Sequence, residues 1–412
     1  MRLLALRQYI EVKRQPELAG KAAGFTWKWR LHRTAAARGQ DLVEDVLGLM
    51  HGAKKKDIWR PTYVTFVNTD GHEEDGEDHG GLTVEAHSVF WREVCKSALF
   101  SDGLPAPDAP REKLFGVGRM LAKSICDDHV TGGGLSRFAL EYLVHGPTGR
   151  TLASPRLALE ALAECDAELA QRWRSYLDAG AVPLGSDLQL SNFDEGVSEE
   201  EDAPVTAANL VAAVHAGCRY WLLTKRKPAL DALKEGFVWE SIDLSVQLAP
   251  LSSEQLALMV RGRLSFSPEE LVGCFRWPEP AAPQPTAEGA AEGGAEGGAE
   301  GAAEGGAAHT AFVAASVLLR AVLSDPTAID EGQRRALLQW ATGLNALPKG
   351  GLVNQAAGLI KLLPYPHASE ATLPEVHTCT RDLHLPPYSH RHVVADRLHT
   401  LLAHSDGGFN KE

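Results

Sequence analysis

Cys379 is the residue whose surroundings best suit chemistry. It lies in Leu373-Pro374-Glu375-Val376-His377-Thr378-Cys379-Thr380, a polar stretch bounded by prolines, with Leu385-Pro386-Pro387-Tyr388 soon after. A thiol on such a loop is expected to be exposed, and nucleophilic attack requires an accessible thiolate. His377, two residues earlier, falls on the same side of an extended backbone, where an imidazole would favour the thiolate electrostatically. Asp382 and His384 are near in sequence, although polar residues in a loop are usually bystanders. The residues alone leave two readings open, a nucleophile and an ordinary loop thiol.

The other cysteines, Cys95, Cys126, Cys165, Cys218 and Cys274, occupy apolar or amphipathic stretches and read as small core residues. The six are far apart and form no CxxC, which fits neither a zinc site nor a dense disulfide framework. No metal and no cofactor are expected. A reducing, intracellular compartment follows, the cytoplasm first and the nucleus as an alternative.

The elements that must position these residues are mostly helical. Asp41 to Met50 carries a helical apolar pattern, and Tyr63-Val64-Thr65-Phe66-Val67 has the composition of a strand. An acidic loop from Asp70 to Gly81 precedes a helix expected over Thr83–Leu99. Leu114, Val117, Leu121 and Ile125 mark another helical stripe, and two more helices are expected at 157–177 and 206–223. Two capping signals lie close together, Ser252 with Gln255 and Ser267-Pro268 with Glu270. Arg261-Gly262-Arg263-Leu264-Ser265 links them, either a hinge or a simple turn. Further on, Phe312–Trp340 reads as two helices broken at Ser324-Asp325-Pro326. A last helix runs from His390 to His404, with Ser389 as its N-cap.

Residues 287–308 are low complexity, with Glu at 288, 292, 296, 300 and 304 among Ala and Gly. On a helix these like charges would align and repel, and Gly lowers helix propensity. The segment reads as a flexible insertion. As a Gly-rich coil its 22 residues span roughly 25 Å root-mean-square, so it can loop out without displacing its flanks.

Composition excludes some functions. The 412 residues carry a formal charge of -13, against the clustered cations that a nucleic-acid binder needs. Residues 1–60 are a local exception, with thirteen Lys/Arg against six acids. That stretch reads as either a solvated surface or a docking site for an acidic partner, and residues 1–30 are set apart as a basic N-terminal segment. No apolar run is long enough to span a membrane.

The residues around Cys379 resemble a known signature. Leu373-Pro374-x-x-His377-Thr378-Cys379, then Leu383-x-Leu385-Pro386-x-Tyr388, is similar to the active-site stretch of HECT ubiquitin ligases. Asp78-His79-Gly80-Gly81-Leu82-Thr83-x-Glu85 and Phe115-x-x-x-Arg119-Met120-Leu121-Ala122-Lys123 resemble earlier family stretches. So do Pro204-Val205-Thr206, Leu233-Lys234-Glu235-Gly236-Phe237, Leu338-Gln339-Trp340-Ala341-Thr342-Gly343 and Leu347-Pro348-x-Gly350-Gly351. Phe409 stands near the end, where the family commonly keeps a Phe. The matches fall in family order over about residues 31–412.

The resemblance implies a bilobed α+β fold. A mostly helical N-lobe over 31–261 would bind a ubiquitin-conjugating enzyme, and a smaller α/β C-lobe over 265–412 would carry the cysteine and the insertion. Gly262, Arg263 and Leu264 would form the hinge between them. It also implies an activity: Cys379 accepts ubiquitin as a thioester and passes it to a lysine of a protein substrate. His377 would give electrostatic support, and Phe409 would position the C-terminal tail.

The sequence also departs from the family. Thr380 and Arg381 stand where Phe and Asn are common, and Val84 replaces a basic residue. On the helix after Thr206, Ala213 and Gly217 stand where many members offer aromatic residues to the conjugating enzyme. Leu169, Trp173 and Tyr176, spaced i, i+4 and i+7, form either an apolar groove beside that helix or ordinary core. Two rival functions remain. One is an inactive HECT-like scaffold that binds ubiquitin or a conjugating enzyme. The other is a cysteine hydrolase, which commonly has its cysteine at a helix start, a placement that Pro386-Pro387 opposes.

Overall fold

The computed structural model describes residues 6, 8–14, 26–33, 41–74, 78, 80–183, 187–239, 244–278, 299–355, 358–378 and 380–404, without the side chains of 299–307, 354 and 404. The architecture is α+β, helices with small sheets, and it divides into two compact units. One comprises residues 1–77 and 86–262; the other comprises 78–85 and 263–412.

In the first unit, β1 (Trp27–His32) and β2 (Thr62–Val67) pair in parallel, with Trp29 opposite Val64 and Leu31 opposite Phe66. Alternation buries Trp29, Leu31, Val64 and Phe66 on one side. Residues 27–30, assigned by the sequence to a separate basic segment, are therefore part of a folded strand. Arg14 is likewise held, donating to the Asp127 carboxylate at 2.6 Å and to the Cys126 carbonyl at 2.9 Å. Between the strands, α1 (Leu42–Gly52) is capped by the Asp41 carboxylate, which accepts from the Val43 amide.

After β2 come α2 (Gly81–Lys96), of which residues 86–96 belong to this unit, the short strands β3 (Phe100–Ser101) and β4 (Leu104–Pro105), α3 (Arg111–Cys126) and α4 (Arg137–His145). The helix expected over 157–177 is two, α5 (Pro155–Cys165) and α6 (Ala167–Ala179). Asp166 is extended and its carboxylate accepts from the Leu169 amide. A short polar side chain thus ends one helix and caps the next. α7 (Leu210–Leu222) starts later than 206, because Asn209 accepts the Thr206 amide in a preceding turn. α8 (Lys227–Phe237), α9 (Ser245–Leu248) and α10 (Ser253–Arg261) complete the unit, α10 with the capping box of Ser252 and Gln255 in place.

α3 and α8 pack with their backbones nearly touching. A Cβ on Gly118 would lie 2.0 Å from the Leu233 carbonyl oxygen, and one on Gly236 would lie 1.9 Å from that of Phe115. Two cations of α3, Arg119 and Lys123, are buried and point at carbonyl groups. Arg119 Nη1 donates to Met50 O at 2.7 Å; Lys123 Nζ donates to Arg60 O at 2.6 Å and pairs with Asp127 at 2.7 Å. Burial lowers the Lys123 pKa, and Asp127 offsets part of that shift.

The second unit is built around a four-stranded sheet. α11 (Pro268–Val272), capped by Ser267 and Glu270, leads into β5 (Phe275–Arg276). α12 (Ala299–Leu323) and α13 (Glu331–Thr342) follow, broken as expected around Asp325. Then come β6 (Ile360–Pro364), β7 (Glu375–His377), β8 (Asp382–Leu385) and α14 (Arg391–His404). The strand order is β5-β6-β8-β7, with only β7 antiparallel to its neighbour. Ile360, Leu362, Leu383 and Leu385 turn to the apolar core with Leu319, Leu337 and Val394 of the helices. Lys361, Asp382 and His384 take the alternate positions.

Two expectations are corrected here. Residues 299–308 are helical, where the sequence reading gave them to a coil; 287–298 lie outside the described residues. Once Phe312, Ala315 and Leu319 are packed, each Ala added toward the N-terminus extends an existing helix, which needs no new nucleus. Ser389 is not the cap of α14. Its hydroxyl is engaged with His390 Nδ1 at 2.6 Å, and the helix begins at Arg391.

Candidate functional site

The hairpin β7–β8 carries the signature residues. Glu375 pairs with His384, Val376 with Leu383 and His377 with Asp382. The chain then turns tightly, because the Thr380 amide donates to the His377 carbonyl at 3.2 Å. Cys379 belongs to this connection by sequence and lies outside the described residues, as does Phe409.

The flanks of the connection are anchored from below. Tyr388 is buried and its hydroxyl donates to the Thr372 carbonyl at 2.6 Å, just before Leu373-Pro374. Arg397 on α14 donates to the Glu370 carbonyl at 3.0 Å. The two ends of the Leu-Pro-to-Tyr signature are thus tied together through the loop that precedes it.

Arg381, which the sequence marks only as a departure from Asn, has a buried role in the structure. Its side chain is buried, donates to the Gly358 carbonyl at 2.5 Å, and has its pKa lowered to about 10 by loss of solvent. Its φ is 54°, in the left-handed region, which Asn tolerates better than Arg. The backbone therefore explains why Asn suits this position. Here the buried hydrogen bond opposes the strain.

His377 is exposed, with its ring 5.3 Å from that of His384 at 87°. His384 also meets the Tyr365 ring at 5.9 Å, and Tyr365 Oη donates to Glu375 Oε2 at 2.8 Å. Asp382 lies 3.4 Å from Lys361 Nζ. The sheet face that leads to residue 379 is therefore polar and aromatic. Among the described residues no cluster of His, Cys, Asp or Glu could hold a metal ion.

The other five cysteines are free thiols with their reactivity suppressed. Burial pushes Cys95, Cys126 and Cys218 up to about 12. Burial also raises Cys165 and Cys274 to about 11. At neutral pH such thiols are protonated; Cys126, Cys218 and Cys274 are also buried, while Cys95 and Cys165 are half-buried.

The stripe Leu169, Trp173 and Tyr176 lies along α6. Trp173 is only 2% exposed, and its ring packs against that of Phe193 at 5.3 Å, tilted by 32°. Gly217 of α7 makes room for it, since a Cβ there would lie 2.7 Å from the indole and 2.8 Å from Phe193 O. Trp173 is therefore a packing residue, and Leu169 and Tyr176 are the half-buried edges beside it. The small Gly217 is thus the counterpart of the large Trp173.

At the junction of the units, Gly262 ends α10 with φ 71° and ψ -168°, and its amide donates to Leu258 O. Arg263 is fixed within the second unit. It exchanges both backbone hydrogen bonds with Leu347, and its guanidinium pairs with Glu270. Leu264 is 38% exposed.

Comparison with known proteins agrees with the signature. The sequence matches the family described as HECT-domain (ubiquitin-transferase) over residues 58–281 and 319–412. The gap between these stretches encloses the Ala-, Gly- and Glu-rich segment. The chain is also similar to E3 ubiquitin-protein ligase UPL4 of Arabidopsis thaliana, 35% identical over 82 residues, which is 20% of this chain and 6% of that protein. Similarity to E3 ubiquitin-protein ligase hecd-1 of Caenorhabditis elegans is 35% over 83 residues, 20% of this chain and 3% of that protein. The matched stretches are thus a small part of either relative. No helix among the described residues is long and apolar enough to cross a membrane. With the family match extending over most of the chain, this protein belongs to the HECT-domain (ubiquitin-transferase) family.

Proposed function

We propose that this chain is a ubiquitin ligase that carries ubiquitin on Cys379. One observation carries the reading: the family match runs through 319–412 and so includes Leu373-Pro374-x-x-His377-Thr378-Cys379. The suppressed thiols elsewhere support it, since they leave no competing nucleophile among the described cysteines.

The Cys379 thiolate attacks the carbonyl of the ubiquitin thioester on a conjugating enzyme. A new thioester forms, and the conjugating enzyme's thiolate leaves. This exchange is nearly balanced and needs alignment more than a strong base, because a cysteine near its free pKa is already a few per cent ionised. A substrate lysine amine then attacks the same carbonyl. An isopeptide bond forms, the Cys379 thiolate departs, and the amine gives up a proton.

The partners are ubiquitin, a conjugating enzyme and protein substrates. Leu169 and Tyr176 form the half-buried edge of the conjugating-enzyme groove. Phe409 positions the tail. His377 favours the thiolate. Because Cys379 must face two partners in turn, the unit carrying it pivots at Gly262. A positive φ there is natural to glycine, and both neighbours are held: Arg261 O accepts from the Gly132 amide, and Arg263 pairs with Leu347.

The test is charging by a panel of ubiquitin-loaded conjugating enzymes. The wild-type chain forms an adduct that survives non-reducing gels and is lost on adding thiol. Cys379→Ala abolishes it, and Cys126→Ala retains it. An adduct that persists in Cys379→Ala overturns the assignment. Thr380 and Arg381, in place of Phe and Asn, favour the alternative of an inactive scaffold that binds ubiquitin or a conjugating enzyme. Binding without any adduct would establish that reading.

A further inference from the structure

We propose that His384 is a positioning residue for His377. This inference rests on the reading of Cys379 as the thioester-forming residue. β7 is three residues long and is the edge strand of its sheet, so its last side chain has a neighbour on one side only. His377 ends that strand and is exposed. No described residue forms a hydrogen bond with its ring nitrogens. Its orientation comes from the edge-on contact with His384, at 5.3 Å and 87°, a favoured geometry for an aromatic pair.

His384 is itself held from three directions. It sits in β8, paired with Leu363 of β6 on one side and with Glu375 of β7 on the other. Its Nδ1 lies 3.4 Å from Pro364 O. Its ring meets Tyr365, whose hydroxyl crosses the strand to the Glu375 carboxylate at 2.8 Å. The order Tyr365, His384, His377 is a short row of rings that runs from the middle of the sheet to its edge. The row ends two residues before Cys379. A free imidazole on an edge strand samples several rotamers. One resting against a fixed ring samples fewer, so the His377 ring, two residues before Cys379 in the chain, is already ordered when ubiquitin arrives. His384 needs only its ring shape for this, not its protons.

The experiment uses the full chain in five forms: wild type, His384→Ala, His384→Phe, His377→Ala and the His377→Ala/His384→Ala double variant. Two quantities are read. One is the single-turnover rate of adduct formation on Cys379 from a ubiquitin-loaded conjugating enzyme. The other is the NMR resonance of the His377 ring, which reports its environment whether or not the chain is active. His384→Ala slows charging by about threefold to tenfold, the range an aromatic pair supplies, and moves the His377 resonance toward that of a free histidine. His384→Phe restores both. The double variant is no slower than His377→Ala.

An unmoved His377 resonance in His384→Ala overturns the proposal, as does an unchanged rate. Failure of His384→Phe to restore the rate overturns it too, because His384 would then act through its nitrogens. Additive losses in the double variant exclude action through His377. If the wild type forms no adduct while the resonance still moves, the ligase reading has failed and the ring pair is packing alone.

Discussion

The Arg263 amide donates to the Leu347 carbonyl at 2.8 Å, and the Leu347 amide returns the bond to the Arg263 carbonyl at 3.0 Å. This reciprocal pair sits one residue after the boundary between the units, so the chain is pinned on the far side of Gly262. The proposed pivot is thereby narrowed from three residues to Gly262. Proline at position 263 removes the donor to Leu347. Arg263→Pro should destabilise the second unit by about 1–3 kcal/mol, read as a lower urea midpoint. Gly262→Ala, at a positive φ, should cost about 1–2 kcal/mol and slow ubiquitin transfer. Transfer at the wild-type rate in a folded Gly262→Ala protein would place the pivot elsewhere.

The contact of α3 with α8 sets a second prediction. A methyl group on Gly236 has no space beside the Phe115 carbonyl, which is backbone and cannot rotate away. Gly236→Ala should therefore cost about 3 kcal/mol or more, lowering the melting temperature of the first unit. A variant as stable as the parent would mean that the two helices separate easily.

The buried thiols make stability depend on alkaline pH. Their folded pKa values, about 12 for Cys95, Cys126 and Cys218 and about 11 for Cys165 and Cys274, are raised above the ordinary thiol value. The unfolded chain therefore releases these protons first, and the folded chain holds more of them in between. The stability they contribute is fully present below about pH 8.5 and is lost as pH rises toward 11 and then 12. Urea midpoints measured from pH 7 to 10.5 should fall across the upper part of that range. The same burial predicts slow labelling of all five by a thiol reagent at pH 7.5 until the chain is unfolded.

A carboxylate works in the opposite direction. Asp325 accepts from the Thr327 amide and hydroxyl and pairs with Arg391, which together lower its pKa to about 2. Its contribution is present above its ordinary range and is lost as pH falls toward 2. Asp325→Asn should remove that acid-side dependence. Because the site is exposed, its effect at neutral pH should be small.

Deleting residues 287–298, which precede the described part of α12, should leave the melting temperature nearly unchanged, since loop-closure entropy varies slowly with length. Extending the deletion through 308 should cost more, because it removes helical residues. Equal stability of the two deletions would show that the first turns of α12 contribute nothing.

Much of this protein follows from local sequence. The caps at Asp41, Ser252 and Ser267 are where short-range hydrogen bonding requires them. Each depends on residues three or fewer apart, so neighbours in the chain decide them. The strand Thr62–Val67 follows from its β-branched and aromatic composition, and the candidate nucleophile from a short signature. Tertiary structure decided the rest. Trp173 reads equally as groove or core until Phe193 and Gly217 close over it. Arg381 is only a departure from Asn until the turn places it over Gly358. His384 looks like a bystander until β7 and β8 bring its ring to His377. Periodicity tells which face a residue takes; what lies on that face is set by segments far away in the chain, and no local rule contains them.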